Sequence, residues 1–500
     1  MIIIGGGLAG LSSAVALAEA GCRVRLLESR PHLGGRATSY WLPDGSHVDN
    51  CQHVTLGCCT NLDDFYRRVG AAEKIRYYDQ LFFVDTRGRR GVIESSPLPP
   101  PLHLGPSFTL FPSLTWADKY AIGRAMLAIA RNGGRPADAA GISMLEWLKQ
   151  RGQTDGAISR FWKVVLVSAL NEELERTDAR YGIEVFWKGF LSTRRGFEVG
   201  IPSVPLAELY DGCREAITRR GGEVRTRAAV REIRVAGDAV QSLRLDDGAE
   251  LSADFFISAV PQDTLLELLP PDFVGREMMF SNLRNLKSSP ITGVHFWYDR
   301  TVMSEPFLTL LDRTTQWIFN KSLLFREHAP GGPAETDGQY LQLVISASYG
   351  LISLSRQEII DICQRELMDV LPDTRAARLV KATVIKEAHA TFSPEPGCDR
   401  WRPAQRTALK NFFLAGDWTA TGWPATMEGA VRSGYLAAEA ILCDAARPTK
   451  LLVPDLPLEG LAGFLSGRSH NPQRRAQRTN LQKKTAELKK NVPVACSAVP

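Results

Sequence analysis

The first twenty-eight residues alternate between apolar runs and small residues in a compact pattern. Ile2-Ile3-Ile4 is an uninterrupted β-branched run, suited to a strand buried on both faces. Gly5-Gly6-Gly7-Leu8-Ala9-Gly10 reads as a tight turn. Residues 11–20, rich in Ala and Leu, predict a helix, with Gly21 where a C-terminal cap belongs. Val24, Leu26 and Leu27 predict a second strand ending at Glu28. Apolar residues then recur at helical spacing over 61–69, 116–131, 142–151 and 158–170. Residues 60–190 are therefore expected to be mostly helical, interrupted by the Pro-rich stretch 97–112.

A second αβ pattern begins near Pro202. Residues 206–220 predict a helix that Gly221-Gly222 stops. Residues 224–260 predict strands with turns at Gly237-Asp238 and Asp247-Gly248, ending in an apolar run before Pro261. Alternation over 291–298, 316–319 and 340–346 predicts a second sheet, and 358–370 a helix. Residues 412–415 predict a strand, followed by a loop and a long helix to 443. Beyond 445 the pattern weakens: 451–465 is apolar but broken by proline, and a basic run follows.

Composition narrows the class. Of 500 residues, 44% are hydrophobic and 23% charged, which supplies apolar surface for large cores and excludes a disordered or fibrous chain. The length suits about three units or one large two-domain enzyme. The formal charge is +5, yet eight basic residues and one acid, Glu487, lie between Arg468 and Lys490. The rest of the chain is slightly acidic, so no nucleic-acid partner is expected. Nine cysteines without a CxxC pair suggest neither zinc nor a disulfide scaffold, and point to a reducing compartment. The first strand starts at residue 2, so no signal peptide is expected. Six prolines within 97–112 exclude a spanning helix there.

Three motifs carry chemistry. Gly5-x-Gly7-x-x-Gly10 sits between an apolar strand and an Ala-rich helix, with Glu28 closing the next strand. Gly5 permits the turn, Gly7 lets a pyrophosphate approach the backbone, and Gly10 lets the helix pack on the strand. The helix start behind the turn favours the pyrophosphate charge, Leu8 and Ala9 of the turn are counted with the cofactor-binding residues, and Glu28 can accept from ribose hydroxyls. Ser29-Arg30 then leads to Gly34-Gly35-Arg36, a glycine pair beside a cation suited to phosphate. In an NAD enzyme this stretch would lead into another crossover helix, so its position favours FAD. Gly416-Asp417, at a strand end, offers a carboxylate to a ribityl or ribose hydroxyl. Pro424, Thr426 and Met427 precede and open a helix whose free N–H groups suit the N1–C2=O edge of a flavin. Val230 completes the residues assigned to the cofactor.

Together these motifs resemble the FAD-dependent amine oxidase and phytoene desaturase superfamily over roughly residues 1–445. A closer likeness lies within it. Asp49-Asn50-Cys51-Gln52-His53, the Pro-rich 98–114 stretch running into Trp116-Ala117-Asp118-Lys119, the Gln316-Trp317 strand and the 415–430 block resemble the squalene-associated FAD-dependent desaturases, better named hydroxysqualene dehydroxylases. The resemblance implies an α/β fold. A Rossmann-like FAD-binding domain, discontinuous over 1–65, 195–285 and 400–445, would carry an inserted α+β substrate domain over 66–194 and 286–399. Residues 446–500 are expected to form an apolar, then basic, poorly ordered tail. The implied reaction is reductive removal of the hydroxyl of hydroxysqualene to give squalene, in hopanoid synthesis, by hydride from reduced flavin N5. An oxidative carotenoid-type desaturase, an amine oxidase and a non-catalytic FAD carrier are the alternatives.

Removing a hydroxyl needs a proton or hydrogen bond at the leaving oxygen. Asp49 and His53 are the candidates from their place in the segment. The alternatives are a carboxylate capping local backbone and a hydrogen-bonded histidine of a turn. Residues 102–116 and 161–170 are expected to line an apolar substrate tunnel for a polyprenyl lipid. The electron donor is not identifiable, since no separate NADPH fingerprint is visible. The Pro-rich stretch, through Leu110 and Phe111, and the basic tail suggest peripheral membrane association; a solvated tail is the alternative. The expected location is cytoplasmic, with the inner face of the cell membrane as the peripheral site.

Overall fold

The computed structural model describes residues 1–325 and 338–467. The fold is α/β, built on a five-stranded parallel sheet. Its strand order is Glu223–Arg225, Arg25–Leu27, Ile2–Ile4, Phe256–Ser258, Phe412–Leu414. Alternate residues serve two cores. Ile3, Leu26, Val224, Ile257 and Phe413 pack among the helices Leu8–Glu19, Asp211–Thr218 and Met427–Asp444. Ile2, Ile4, Leu27, Phe256, Phe412 and Leu414 face the other way, into the largest apolar cluster. Burial on both faces is why these strands read as unbroken apolar runs. Four widely separated stretches of chain thus meet in one sheet, with their C-terminal ends on one side.

A second sheet of seven strands has the order Leu379–Phe392, Ser288–Tyr298, Gln339–Ser346, Trp317–Asn320, Phe307–Leu310, Gln80–Val84, Arg90–Glu94. It is antiparallel except where Phe307–Leu310 runs parallel to Gln80–Val84. Helix Arg356–Val370, closed by a Ser355/Glu358 capping box, covers one face. Helical segments from Trp116 to Leu191 cover the other through one continuous apolar cluster.

The helices expected near 61–69, 116–131, 142–151, 158–170 and 358–370 are present as Thr60–Arg68, Trp116–Arg131, Met144–Gln150, Ile158–Trp162 continuing into Lys163–Leu170, and Arg356–Val370. Residues 60–190 are mostly helical, as expected, but they also hold three strands the pattern does not predict, Ile75–Tyr78, Gln80–Val84 and Arg90–Glu94. Ile75–Tyr78 pairs with Val199–Pro202, and Gln80–Val84 with Phe307–Leu310. Strands this short are decided by partners over a hundred residues away rather than by their own pattern.

The stretch after residue 446 also differs from expectation as far as it is described. Leu451 and Leu452 N–H groups donate to Glu439, and Val453 exchanges two hydrogen bonds with Asn61. Asp455 pairs with Arg432 and Lys188. Glu459 N–H donates to the Ser192 carbonyl, and a short helix, Leu461–Leu465, closes the arm. These residues are therefore packed on the body. The basic run from Arg468 onward lies outside the described residues.

Candidate active site

The glycine-rich turn follows the central strand. Gly5 has φ +103°, and a Cβ there would lie 2.9 Å from the Ala259 carbonyl oxygen. A Cβ on Gly10 would overlap the Gly5 carbonyl oxygen, so the helix Leu8–Glu19 approaches as close as backbone allows. Gly7 differs: the nearest atom to a Cβ there is Gly35 Cα at 3.8 Å. Space in front of that helix start is left by the protein itself. The helix has no side-chain cap and no acid in its first turn. Its leading N–H groups, at Leu8, Ala9 and Gly10, therefore present an uncompensated positive end, which fits a pyrophosphate.

Glu28 stands beside this turn, buried. Its Oε2 accepts from Gly6 N–H at 2.6 Å; its Oε1 accepts from Arg30 N–H at 2.8 Å and Ser29 Oγ at 3.2 Å. The carboxylate thus fixes both the glycine turn and the 28–30 corner. Ala228 N–H donates to the Glu28 carbonyl, and Arg227 N–H to that of Arg30. This brings the start of the Val230–Ala236 strand alongside, so Val230 falls at the same end of the sheet. Gly34 N–H donates to the Gly6 carbonyl, and Gly35 backs onto Gly7.

The third motif closes the site from the far end of the chain. Gly416 has φ +150°, and a Cβ there would overlap the Trp418 indole. Gly416 N–H donates to Ser433 Oγ at 2.7 Å. Thr426 caps the helix Met427–Asp444, its Oγ1 accepting from Gly429 N–H at 3.0 Å. The N–H groups of Met427 and Glu428, just behind Pro424, are left to a ligand. Helices Leu8–Glu19 and Met427–Asp444 pack at backbone distance, because a Cβ on Gly434 would overlap Ser12 Oγ and the Ala9 carbonyl. The two positive helix ends, one uncapped and one capped by Thr426, therefore belong to one closely packed pair.

Arg36 was expected to aim a free cation at phosphate. Instead its Nη2 donates to Asp417 Oδ1 at 2.8 Å and its Nη1 to the Ala390 carbonyl at 2.7 Å. Asp417 beside it raises the Arg36 pKa further. The two predicted site residues thus hold each other, and Asp417 keeps Oδ2 for a hydroxyl donor.

Asp49 and His53 also depart from their expected role. Asp49 is buried and accepts from Lys321 Nζ at 2.7 Å, Ser39 Oγ at 2.6 Å and Leu206 N–H at 3.1 Å. Burial opposes its charge, but Lys321 and these donors win and hold its carboxyl below the usual range. An ionised acceptor has no proton to give, so Asp49 is not a general acid. Lys321, equally buried, also donates to Gln52 Oε1 at 2.7 Å. His53 Nδ1 lies 3.1 Å from the Cys51 carbonyl. A carbonyl only accepts, so Nδ1 carries the proton and Nε2 is an acceptor. Burial lowers the His53 pKa, which keeps the ring neutral. His53 is therefore arranged to take a proton rather than to deliver one. Cys51 is buried with its thiol pushed up to about 12, facing the Gly293 strand.

Two residues that organise the site were not foreseen. Lys321 anchors the 49–52 segment; its only sequence signal is a lysine directly after an apolar strand. Arg402, 1% exposed, donates through Nη2 to the carbonyls of Asp417 at 3.1 Å, Thr419 at 2.6 Å and Trp423 at 2.8 Å. It fixes the loop that leads into the Thr426 cap, and nothing in the sequence around it marks that role.

Comparison with known proteins agrees with this geometry. The profile described as "Flavin containing amine oxidoreductase" matches residues 8–442. The chain is 29% identical over 463 residues to 15-cis-phytoene desaturase of Solanum lycopersicum, covering 89% of this chain and 78% of that protein. It is 29% identical over 476 residues to zeta-carotene desaturase of Synechocystis sp., covering 89% and 97%. Among solved structures, an oxidoreductase from Methanosarcina mazei superposes with TM-score 0.69 at 18% identity, covering 88% of this chain and 99% of that one. Cyclohexylamine oxidase from Brevibacterium oxydans gives TM-score 0.63 at 17% identity, covering 89% and 99%. The cofactor is FAD, and the cradle at Gly7, the Glu28 corner and the two helix starts fit it. With a family profile spanning residues 8–442, the chain belongs to the flavin containing amine oxidoreductase family and is an FAD-dependent oxidoreductase.

Proposed function

We propose that this oxidoreductase dehydrogenates a linear polyprenyl lipid, as a carotenoid- or phytoene-type desaturase does. The observation that carries the reading is an aromatic interior between the second sheet and the helices. On the sheet side, Tyr78 and Phe82 meet Phe307 edge-on at 5.4 and 5.6 Å, and Trp317 stacks on Phe319 at 5.8 Å. On the helical side, Phe108, Phe161, Phe186 and Phe190 form a series with centroids 5.4–5.6 Å apart. Trp317 Nε1 donates to Ser168 Oγ at 2.6 Å and ties the two sides. The same apolar cluster reaches Cys51, Trp418 and Ala425 beside the flavin cradle. Such a lining binds an apolar chain through contact area and excludes water.

Bound FAD supplies two-electron hydride acceptance. The protein's share is to hold the chain against it and to receive the proton lost from the neighbouring carbon. Neutral His53, with Nε2 as acceptor, is the candidate for that proton. The desaturase relatives support the oxidative direction.

Reductive dehydroxylation of hydroxysqualene is the second reading. The Asp49-Asn50-Cys51-Gln52-His53 segment favours it, because that sequence resembles the dehydroxylases. One anaerobic experiment separates the two. Oxidised holoenzyme is mixed with phytoene or squalene, and chemically reduced holoenzyme with hydroxysqualene, with flavin absorbance and products followed in each. Bleaching with a more unsaturated product is expected. Reoxidation with stoichiometric squalene instead would establish the dehydroxylase.

A further inference from the structure

We infer that one buried water, held by His295, Gln342 and the Asn50 carbonyl, relays the reaction's proton between the inner end of the aromatic interior and Tyr340. The inference deepens the proposed function and rests on it for the proton to be moved. The site itself is built from the sheet. In the strand Ser288–Tyr298, Gly293, His295 and Trp297 alternate onto one face. Directly opposite them in Gln339–Ser346 stand Val344, Gln342 and Tyr340. Trp317 of the aromatic interior continues the Gly293 row, paired with Val344.

This face looks onto the 49–52 segment. Gln342 Nε2 makes a long hydrogen bond to the Asp49 carbonyl, at 3.5 Å. A Cβ built on Gly293 would lie 3.5 Å from the Asn50 carbonyl oxygen and 3.8 Å from both Cys51 Sγ and His295 Nε2. No heavy atom of the described residues stands closer, so one small group fits in front of Gly293. Cys51 belongs to the apolar cluster that reaches Trp418 and Ala425, so this spot lies where the interior meets the cradle.

Two polar atoms of the face have no partner among the described residues: His295 Nε2 and Gln342 Oε1. Both side chains are 0% exposed, and they are cross-strand neighbours. Buried polar atoms are rarely left unpaired, and a pair of them beside a free carbonyl oxygen gives one water its partners. On the far side of the ring, His295 Nδ1 lies 2.7 Å from Tyr340 Oη. Tyr340 keeps part of its surface exposed.

The water suits both tautomers of the ring. With Nδ1–H donating to the Tyr340 oxygen, the water donates to Nε2 and to Gln342 Oε1, and its lone pairs are free to accept. With the Tyr340 hydroxyl donating to Nδ1, Nε2–H donates to the water, which turns its hydrogens to Gln342 Oε1 and Asn50. Passing between these states moves one proton. The water takes it from the acceptor at the lipid and gives one of its own to Nε2; Nδ1 gives its proton to Tyr340, whose hydroxyl proton goes to solvent. No electrons move. Burial keeps the ring neutral at either end of the exchange. The path has no direction of its own: dehydrogenation sends a proton out, and reductive loss of a hydroxyl draws one in.

The test uses full-length holoenzyme in weakly buffered anaerobic solution with phytoene and a pH-indicator dye. The quantity read is the rate of proton release divided by the rate of flavin bleaching. His295→Gln, Tyr340→Phe and Gly293→Ala should each lower it at least tenfold, with flavin absorbance and circular dichroism confirming the fold. Phe keeps the stack of residue 340 on Trp297, at 4.6 Å and 7°, and the Ala Cβ makes only ordinary contacts while taking the water's place. A high-resolution crystal structure of the wild type should show a water within hydrogen-bond distance of His295 Nε2 and Gln342 Oε1. Its absence there, or an unchanged ratio in folded Gly293→Ala or Tyr340→Phe, would overturn the inference. Where reduced enzyme reacts with hydroxysqualene instead, the same ratio is read as proton uptake over flavin reoxidation, with the same expectation. No reaction with either lipid refutes the lipid-substrate reading and the relay with it, whereas turnover with an unchanged ratio refutes the relay alone.

Discussion

Replacing Lys321 by Met probes the buried pair on which the 49–53 segment rests. Both side chains are at most 1% exposed, with Nζ 2.7 Å from Asp49 Oδ2. At that separation an effective dielectric of about 20 gives about 6 kcal/mol of attraction. Taking each ion out of water costs several kcal/mol, so the intact pair contributes little net stability. Losing one partner is different. Asp49 would remain buried with Ser39 and Leu206 N–H but no countercharge, and the expected loss is about 3–5 kcal/mol near neutral pH. The loss should depend on pH in a defined sense. In the wild type Asp49 sits below its ordinary value, so its contribution is present above about pH 4 and disappears as pH falls further. In the variant, burial acts without Lys321 and raises the Asp49 pKa. Folding then takes up a proton, so the variant's deficit relative to wild type should shrink from about pH 7.5 to about pH 5. Urea unfolding followed by far-UV circular dichroism at the two pH values measures this. Asp49→Asn/Lys321→Met should recover most of the loss and abolish its pH dependence. A Lys321→Met deficit below about 1 kcal/mol, or one equal at both pH values, would refute the reasoning.

Three further outcomes are expected. Gly10→Ala places a Cβ on the Gly5 carbonyl, so the purified variant should lose its FAD absorbance, read as the ratio of flavin to protein absorbance. Arg402→Lys cannot span the three carbonyls of Asp417, Thr419 and Trp423, and FAD affinity by fluorescence titration should fall at least about tenfold, or about 1.4 kcal/mol. His295 is buried with Nδ1 2.7 Å from Tyr340 Oη, and burial pushes its pKa down to about 3. The folded state therefore refuses a proton that the unfolded chain binds below about pH 6.5, and about 2 kcal/mol should be lost through this residue by pH 5. In His295→Gln that part of the acid sensitivity should vanish from urea midpoints measured at about pH 7 and about pH 5.

Much of the geometry of the glycine turn and the strand ends around it was legible in the order of residues, because its requirements are local. A glycine needed for a positive φ at residue 5, or for backbone contact at residue 10, leaves a mark within a few positions of the strand and helix it joins. Glu28 could be placed for the same reason, since it ends the very next strand. The Thr426 cap was legible because Gly416-Asp417 and an apolar helix bracket it. The roles of Arg36, Asp49 and His53 were not legible. Arg36 and Asp49 are decided by partners far along the chain, Asp417 and Lys321, and the His53 tautomer by the turn geometry at Cys51, which its local pattern does not reveal.

The sequence by itself determined a parallel αβ core, a glycine turn after its first strand and a long closing helix, because periodicity, glycine placement and capping act over a few residues. Only the tertiary structure decided which charges are already spent on one another, and therefore which groups remain for a ligand or a proton. It alone brought the sheet-side and helix-side aromatic rings into one apolar interior, tied by Trp317 and Ser168. The physical reason is the same in each case: charge pairing and side-chain packing depend on distance in space, which chain order does not fix.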